Sequence, residues 1–128
     1  MELENHEYLN QIENCPALND KGSMRLYRCV QNPMGESSFE PLAVTKSKYK
    51  SSCLHWGLST YRSLNAAKDQ LNNLSKKKQS IYNAIAEYTV EEVDGIKHQS
   101  LANKFHYTFY PIKGFDFVTK FKLVQDEN

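Results

Sequence analysis

The sequence predicts an α+β domain: a mostly antiparallel sheet of about five strands with one or two helices packed on it. The length of 128 residues is close to the commonest size of one domain, and 40% hydrophobic with 24% charged residues is ordinary for a folded protein. Several runs alternate between apolar and polar residues, as strands do, and one stripe of leucine and alanine has helical spacing. We therefore expect a single domain over 1–128, with an N-terminal helix at 2–14, a core at 24–124 and a tail at 125–128.

The first half of the chain contains the short N-terminal helix and three strand candidates. Residues 2–14 carry widely spaced apolar positions and end before a Cys-Pro pair, where the residue preceding proline avoids helical angles. Alternation then predicts a strand over 24–30, in which Arg28 falls on an otherwise apolar side. Two further strands are expected over 39–44 and 53–58.

The second half is expected to add one helix and three strands. Ser63 is a good N-cap, and the apolar stripe that follows predicts a helix over 64–74. Residues 81–90 alternate as a strand, and an aromatic-rich stretch predicts two more strands, over 105–110 and 115–124. These last two strands would form a hairpin that completes the sheet.

Charge and hydropathy narrow the possible partners. A net charge of +1 provides no global field to attract nucleic acid, so binding through the lysines at 46–50 and 76–78 is the third-ranked hypothesis. No apolar run approaches the roughly 20 residues that span a bilayer, so no membrane partner is expected. The N-terminus is acidic where a secretory signal would be basic, which favours a cytoplasmic location.

The cysteines also favour a cytoplasmic location. Cys15, Cys29 and Cys53 are odd in number and widely spaced, which is a poor disulfide framework and predicts a reducing compartment. Cys53 and His55 are the only close pair of cysteine or histidine residues, and on a strand they would point to opposite faces, so no metal site is predicted. A nucleophilic Cys–His pair stays open, because catalytic partners meet in space rather than in sequence.

The primary functional hypothesis is a non-enzymatic module that binds a protein or a small molecule without a cofactor. Its ligand surface would be formed by Trp56, His106, Tyr107 and Tyr110, since aromatic side chains with polar tips are frequent at binding hot spots. We expect Trp56 to be mostly buried and Tyr110 to be partly exposed. His106 is also the best-placed general acid or base in the chain.

The alternative hypothesis is an enzyme that uses NAD. The order of Arg28, Ser59 and the Glu91-Glu92 pair resembles the arginine, serine, glutamate order of the ADP-ribosyltransferase superfamily. The resemblance implies that Arg28 holds the NAD phosphates, Ser59 and Tyr61 surround the nicotinamide, and Glu91 or Glu92 supports the ribose. This alternative ranks second because the Glu-x-Glu spacing of that superfamily is missing.

Arg28 separates these hypotheses. An enzyme would leave its guanidinium in an open cleft beside Ser59, with a glutamate across it. A structural role would instead require an internal partner such as Asp116 or Glu87, because a buried guanidinium is costly without a carboxylate or phosphate, or would let the charged end of the side chain reach water at the sheet edge.

A broader likeness covers about residues 25–124. The segment 53–59, Cys-Leu-His-Trp-Gly-Leu-Ser, and the segment 106–116, His-Tyr-Thr-Phe-Tyr-Pro-x-x-Gly-x-Asp, together resemble a group of small bacterial proteins. The resemblance implies a bacterial, cytoplasmic origin, and that group brings no established activity.

Overall fold

The structure is a computed structural model that describes residues 2–77 and 81–125. Its centre is a six-stranded antiparallel sheet, in the order β4-β5-β2-β1-β3-β6, which confirms the predicted α+β class. The strands are β1 (Met24–Val30), β2 (Leu58–Tyr61), β3 (Ala84–Val90), β4 (Gly95–Gln99), β5 (His106–Pro111) and β6 (Lys122–Leu123).

The helical segments are short, with one exception of 12 residues. No helix among residues 2–77 and 81–125 is long and apolar enough to cross a bilayer. The α-helices are α1 (His6–Leu9), α2 (Leu42–Thr45), α3 (Leu64–Ser75) and α4 (Phe117–Lys120), and 3-10 turns cover Glu36–Phe39, Ser47–Tyr49, Leu54–Trp56 and Glu92–Asp94.

One face of the sheet carries the main core. Alternation along β1 sends Leu26 and Val30 to this face, where they pack with Phe109 of β5. Phe39 and Phe121 cover them from outside the sheet and pack as a tilted ring pair. The aromatic content of the C-terminal region therefore serves mainly to fill this core.

The opposite face of the sheet is covered in part by α3. The Ser63 side chain accepts a hydrogen bond from the Ala66 N–H and so caps the start of the helix, as predicted. Ala67 then packs between Tyr61 and Ile85, and its small side chain lets the helix approach the sheet closely. The predicted helix at 64–74 is confirmed.

A third cluster fastens the N-terminal segment to the end of β5. Leu3 and Leu9 pack there with Trp56 and Tyr110. A disulfide between Cys15 and Cys53 closes the same region, with the two Cα atoms 5.8 Å apart. The expectation of no disulfide framework is therefore wrong, and the cysteines no longer argue for a reducing compartment.

The predicted strands agree with the structure in the centre of the sheet. β1 is observed over 24–30 as predicted, β3 occupies most of 81–90, and β5 matches 105–110 within one residue. β4 was not predicted, because its 95–99 segment lacks a clear alternation of apolar and polar residues. Residues 126–128, most of the predicted tail, lie outside the described residues.

Four predicted elements are wrong, each for a local reason. The expected helix at 2–14 is reduced to α1, because Asn5 and Asn14 adopt left-handed backbone conformations on either side of it. The expected strand at 39–44 forms a 3-10 turn and α2 instead; Pro41 has no N–H to donate to a strand ladder and occupies the N-cap position of α2.

The other two wrong elements lie at the start of β2 and after β5. The segment at 53–58 turns through Leu54–Trp56 before it enters β2, and the Trp56 indole holds the turn by donating to the Lys50 carbonyl at 2.8 Å. The expected strand at 115–124 contains α4, because the Asp116 carboxylate caps that helix by accepting from the Thr119 N–H.

The sheet has a weak seam between β1 and β2. β1 pairs with β3 along its whole length, from Met24–Val90 to Val30–Ala84, whereas its pairing with β2 is limited to Tyr27 and Tyr61. The two strands part beyond this pair, and the candidate functional site lies at the opening.

Candidate anion-binding cleft

A cleft of about 400 Å³ opens where β1 and β2 part. Its floor comes from the two strands, one wall from α3, and the other wall from the segments around α2 and the Leu54–Trp56 turn. Its polar lining includes Arg28, Glu40, Lys46, His55, Ser59 and Tyr61.

Arg28 is the most unusual of these residues, because it is only 7% exposed and yet lines the cleft. Its Nε donates to the Ser38 carbonyl at 2.9 Å, and its Nη1 donates to the Ser59 carbonyl at 2.8 Å. The Phe39 ring lies 5.9 Å from the guanidinium carbon. All three contacts hold the side chain in place, and none of them neutralises its charge.

The contact with Ser59 follows from the seam in the sheet. The Arg62 N–H donates to the Phe105 carbonyl, and hydrogen-bonded and non-hydrogen-bonded pairs alternate in an antiparallel ladder. The Ser59 carbonyl therefore points away from β5 and towards β1. The Arg28 guanidinium satisfies it where the main chain of β1 has moved out of reach.

Neither expected carboxylate partner reaches Arg28. Glu87 pairs with Arg25 instead, at 3.8 Å, and Asp116 caps α4. Within residues 2–77 and 81–125, no ion pair includes Arg28; Glu40 lines the same cleft but forms none with it. The cleft therefore contains a buried cation whose charge is not balanced by a bonded acid.

Burial also changes the electrostatics of this cation. Loss of hydration lowers the pKa of the Arg28 guanidinium, and nearby Tyr82, Cys29 and Tyr61 offset this only in part. Arginine nevertheless stays protonated in proteins, so the positive charge persists. An anion placed beside it would offset the lost hydration.

Aromatic rings and lysines border the cleft. Tyr49 and His55 stack on one another with ring centroids 4.1 Å apart, and Lys46 and Lys77 line the opening. The Lys50 ammonium lies over the Trp56 ring rather than pointing towards a separate basic surface. Lys78, part of the expected basic run, lies outside the described residues.

Ser59 connects the cleft to His106. The Ser59 hydroxyl is exposed to the cleft and lies 2.9 Å from His106 Nε2, while His106 Nδ1 contacts the Ser100 hydroxyl at short range. Burial lowers the pKa of His106, so its imidazole is neutral at pH 7. The sequence suggested functional roles for Ser59 and His106 separately, but not for Ser100. Ser100 lies in a loop, and no local sequence pattern indicates that it contacts His106.

The two glutamates of the enzyme alternative lie elsewhere. Glu92 accepts a hydrogen bond from the Gly22 N–H at 2.7 Å, and Glu91 accepts one from the Ser23 hydroxyl. These contacts are at the start of β1, whereas Arg28 is near its end. The structure brings Arg28, Ser59 and Tyr61 into one cleft and leaves Glu91 and Glu92 outside it.

No family model, curated protein or solved structure matches this chain significantly. The site is therefore interpreted from its own geometry.

The predicted aromatic surface is largely interior. Trp56, Tyr107 and Tyr110 are 3%, 4% and 1% exposed, and only His106 is half-buried. The Tyr110 hydroxyl donates to the Cys53 carbonyl at 3.1 Å, so its polar tip is satisfied inside the fold. The expected burial of Trp56 is confirmed, and the expected partial exposure of Tyr110 is wrong.

The remaining cysteine is unsuited to nucleophilic chemistry. Burial raises the pKa of the Cys29 thiol to about 11, and the thiol contacts the Ala67 carbonyl at 3.6 Å. Among residues 2–77 and 81–125, no cluster of three or more His, Cys, Asp or Glu side chains is arranged to hold a metal ion.

Proposed function

We propose that this domain binds a small organic anion, with the carboxylate or phosphate group of the ligand placed on Arg28. The observation that supports this function is an arginine that is only 7% exposed, lines the cleft and forms no ion pair with any acid in the described part of the chain. This proposal agrees with the primary hypothesis that the ligand is a small molecule, but it places the binding site in the cleft rather than on the predicted aromatic surface.

The chemistry of Arg28 favours an anion over a neutral ligand. Guanidinium presents donors in a planar fork that matches carboxylate and phosphate oxygens. Its Nε and Nη1 are fixed by two carbonyls, and no hydrogen bond within the described part of the chain engages Nη2. A side chain fixed in this way loses little entropy when a ligand binds, which raises affinity.

The size and lining of the cleft limit the rest of the ligand. A volume of about 400 Å³ is at the lower end of the range for small-molecule sites. Leu42 and Leu54 add apolar surface, and the Tyr49–His55 stack adds aromatic surface. The best-fitting ligand has one anionic group and a small planar or apolar body, such as an aryl carboxylate or an aryl phosphate.

Calorimetric titration with benzoate and phenyl phosphate tests this function, with benzamide as the neutral control. We expect saturable binding of at least one anion and none of benzamide. Arg28→Gln should weaken binding at least 10-fold, whereas Arg25→Gln removes the same charge from the exposed side of β1 and should leave it unchanged.

Two further measurements protect this test from a folding artefact. Circular dichroism and the unfolding midpoint establish whether Arg28→Gln is folded. Lys46→Glu reverses an exposed charge at the opening without disturbing the core, and it should weaken anion binding several-fold. Absence of binding to both anions, or equal affinity of the Arg28 and Arg25 variants, would disprove the function.

A further inference from the structure

Ser59, His106 and Ser100 form a continuous hydrogen-bonded chain. His106 Nε2 lies 2.9 Å from the Ser59 hydroxyl, and its other ring nitrogen contacts the Ser100 hydroxyl. An imidazole placed between two hydroxyls, one of which is open to a cleft, has the geometry of a base between a nucleophile and an orienting group.

The sheet itself builds this arrangement. Ser59 pairs with Thr108 and Tyr61 pairs with His106, so Ser59 and His106 are diagonal neighbours on one face of the β2–β5 ladder. Ser100 is fixed to the same strand, because its N–H donates to the His106 carbonyl at 2.9 Å. Strand pairing thus positions Ser59 and His106, and one main-chain hydrogen bond positions Ser100 beside them.

Tyr61 completes the surroundings of the imidazole. Its ring meets the His106 ring edge-on, with centroids 5.2 Å apart; Tyr61 is buried and His106 is half-buried. This contact restricts rotation of the imidazole, while Ser59 stays exposed.

We propose that this chain catalyses acyl transfer, with Ser59 as the nucleophile, His106 as the general base and Ser100 as a positioning residue. The substrate class is a small ester. If the function proposed above holds, the ester also carries a carboxylate or phosphate that Arg28 binds, because Arg28 contacts the main chain of Ser59 at 2.8 Å.

Each step balances without a cofactor. The Ser59 oxygen bonds to the ester carbonyl carbon while its proton passes to His106 Nε2. The bond to the leaving alcohol then breaks, and the alcohol departs with that proton. Water attacks the acyl-serine, gives a proton to His106, and the carboxylic acid is released as Ser59 regains its hydrogen.

Ser100 acts through the imidazole rather than on the substrate. Nε2 can accept the serine proton only in the tautomer that carries hydrogen on Nδ1, and the Ser100 hydroxyl is placed to accept that hydrogen. A threonine at this position retains the hydroxyl, whereas an alanine removes it.

Covalent labelling tests the proposal directly. The folded protein is incubated with phenylmethanesulfonyl fluoride or a fluorophosphonate, and the modified residue is located by peptide mass spectrometry. The release of p-nitrophenol from p-nitrophenyl acetate measures turnover. None of these three reagents carries an anionic group, so neither labelling nor turnover depends on the anion function of Arg28.

The variants separate catalysis from packing. Ser59→Ala should abolish labelling, His106→Gln should slow it by about 100-fold or more, and Ser100→Ala should slow it while Ser100→Thr restores it. Ser52→Ala is the matched control. Ser52 also lies next to a histidine, with its hydroxyl 2.6 Å from His55 Nδ1, and its loss should leave the labelling rate unchanged.

Labelling that persists in folded Ser59→Ala would overturn the proposal, and so would a folded His106→Gln that reacts as fast as the parent. An unlabelled parent protein with no esterase turnover would also overturn it. Failure here leaves the anion titrations with Arg28→Gln unaffected, so the two proposals fail separately.

Discussion

Nη1 of Arg28 lies 2.8 Å from the main-chain oxygen of Ser59 and bridges two strands that do not pair at this point. A side chain therefore takes the place of a ladder hydrogen bond at the seam between β1 and β2. The same guanidinium forms part of the cleft, so one residue both joins the two halves of the sheet and supplies the charge of the proposed site.

Replacing Arg28 by methionine tests this structural role. Methionine fills a similar volume but leaves the Ser38 and Ser59 carbonyls without their donor, which destabilises the fold, although removal of a buried charge offsets part of the loss. We expect the free energy of unfolding in urea to fall by about 1–3 kcal/mol. A variant as stable as the parent would show that the bridge contributes nothing.

Glu40 offers a test of charge in the cleft. Its carboxylate lines the cleft without pairing to Arg28, so it should repel a bound anion. Glu40→Gln should tighten phenyl phosphate binding by about 2- to 5-fold at low salt, and the gain should shrink at high salt as screening increases. Weaker binding by this variant would contradict the proposed position of the anion.

The disulfide is tested by counting thiols. Under denaturing conditions without reductant, one reactive thiol is expected, because Cys15 and Cys53 are joined and Cys29 is free. The native protein should show almost no reaction, since Cys29 is buried and its pKa is about 11. Three reactive thiols in the unreduced, denatured protein would disprove the pairing.

Loss of the disulfide should also lower stability. Cys15 and Cys53 are separated by 38 positions, and closure of a loop of this size contributes about 4 kcal/mol. Cys15→Ser should reduce the free energy of unfolding by up to this amount, while reduction of that variant should have no further effect.

His106 predicts a specific dependence of stability on pH. Burial lowers its folded pKa below the value of about 6.5 in the unfolded chain, so the unfolded state binds more protons between the two values. The stabilising contribution is present above pH 6.5 and is lost as the pH falls through the folded pKa. His106→Gln should lack this component, so the stability difference between parent and variant should shrink on acidification. A difference that does not change below pH 6.5 would contradict it.

The part of the site that local patterns specify could be predicted from the sequence. Alternation over 24–30 placed Arg28 among apolar neighbours on one side of β1, and this residue lines the cleft. The helix at 64–74 was equally accessible, because its cap and its apolar stripe are both local.

The rest depends on contacts that no local pattern specifies. The Cys15–Cys53 bond, the seam beside Tyr27 and the Ser100–His106 contact all join segments that are distant or connected by loops. The aromatic residues were misinterpreted for a related reason: alternation cannot distinguish a ring in a binding surface from a ring in a core such as Tyr110.

Nuclear magnetic resonance of the arginine side chains tests the central claim most directly, because Nε of Arg28 belongs to the side chain that lines the cleft and is proposed to bind the anion. On titration with benzoate or phenyl phosphate, the Arg28 Nε–H resonance should shift saturably while that of Arg25, on the exposed side of the same strand, stays in place. Benzamide should shift neither resonance. An Arg28 signal that does not respond to either anion, or that moves only in parallel with Arg25, would contradict an anion site at Arg28.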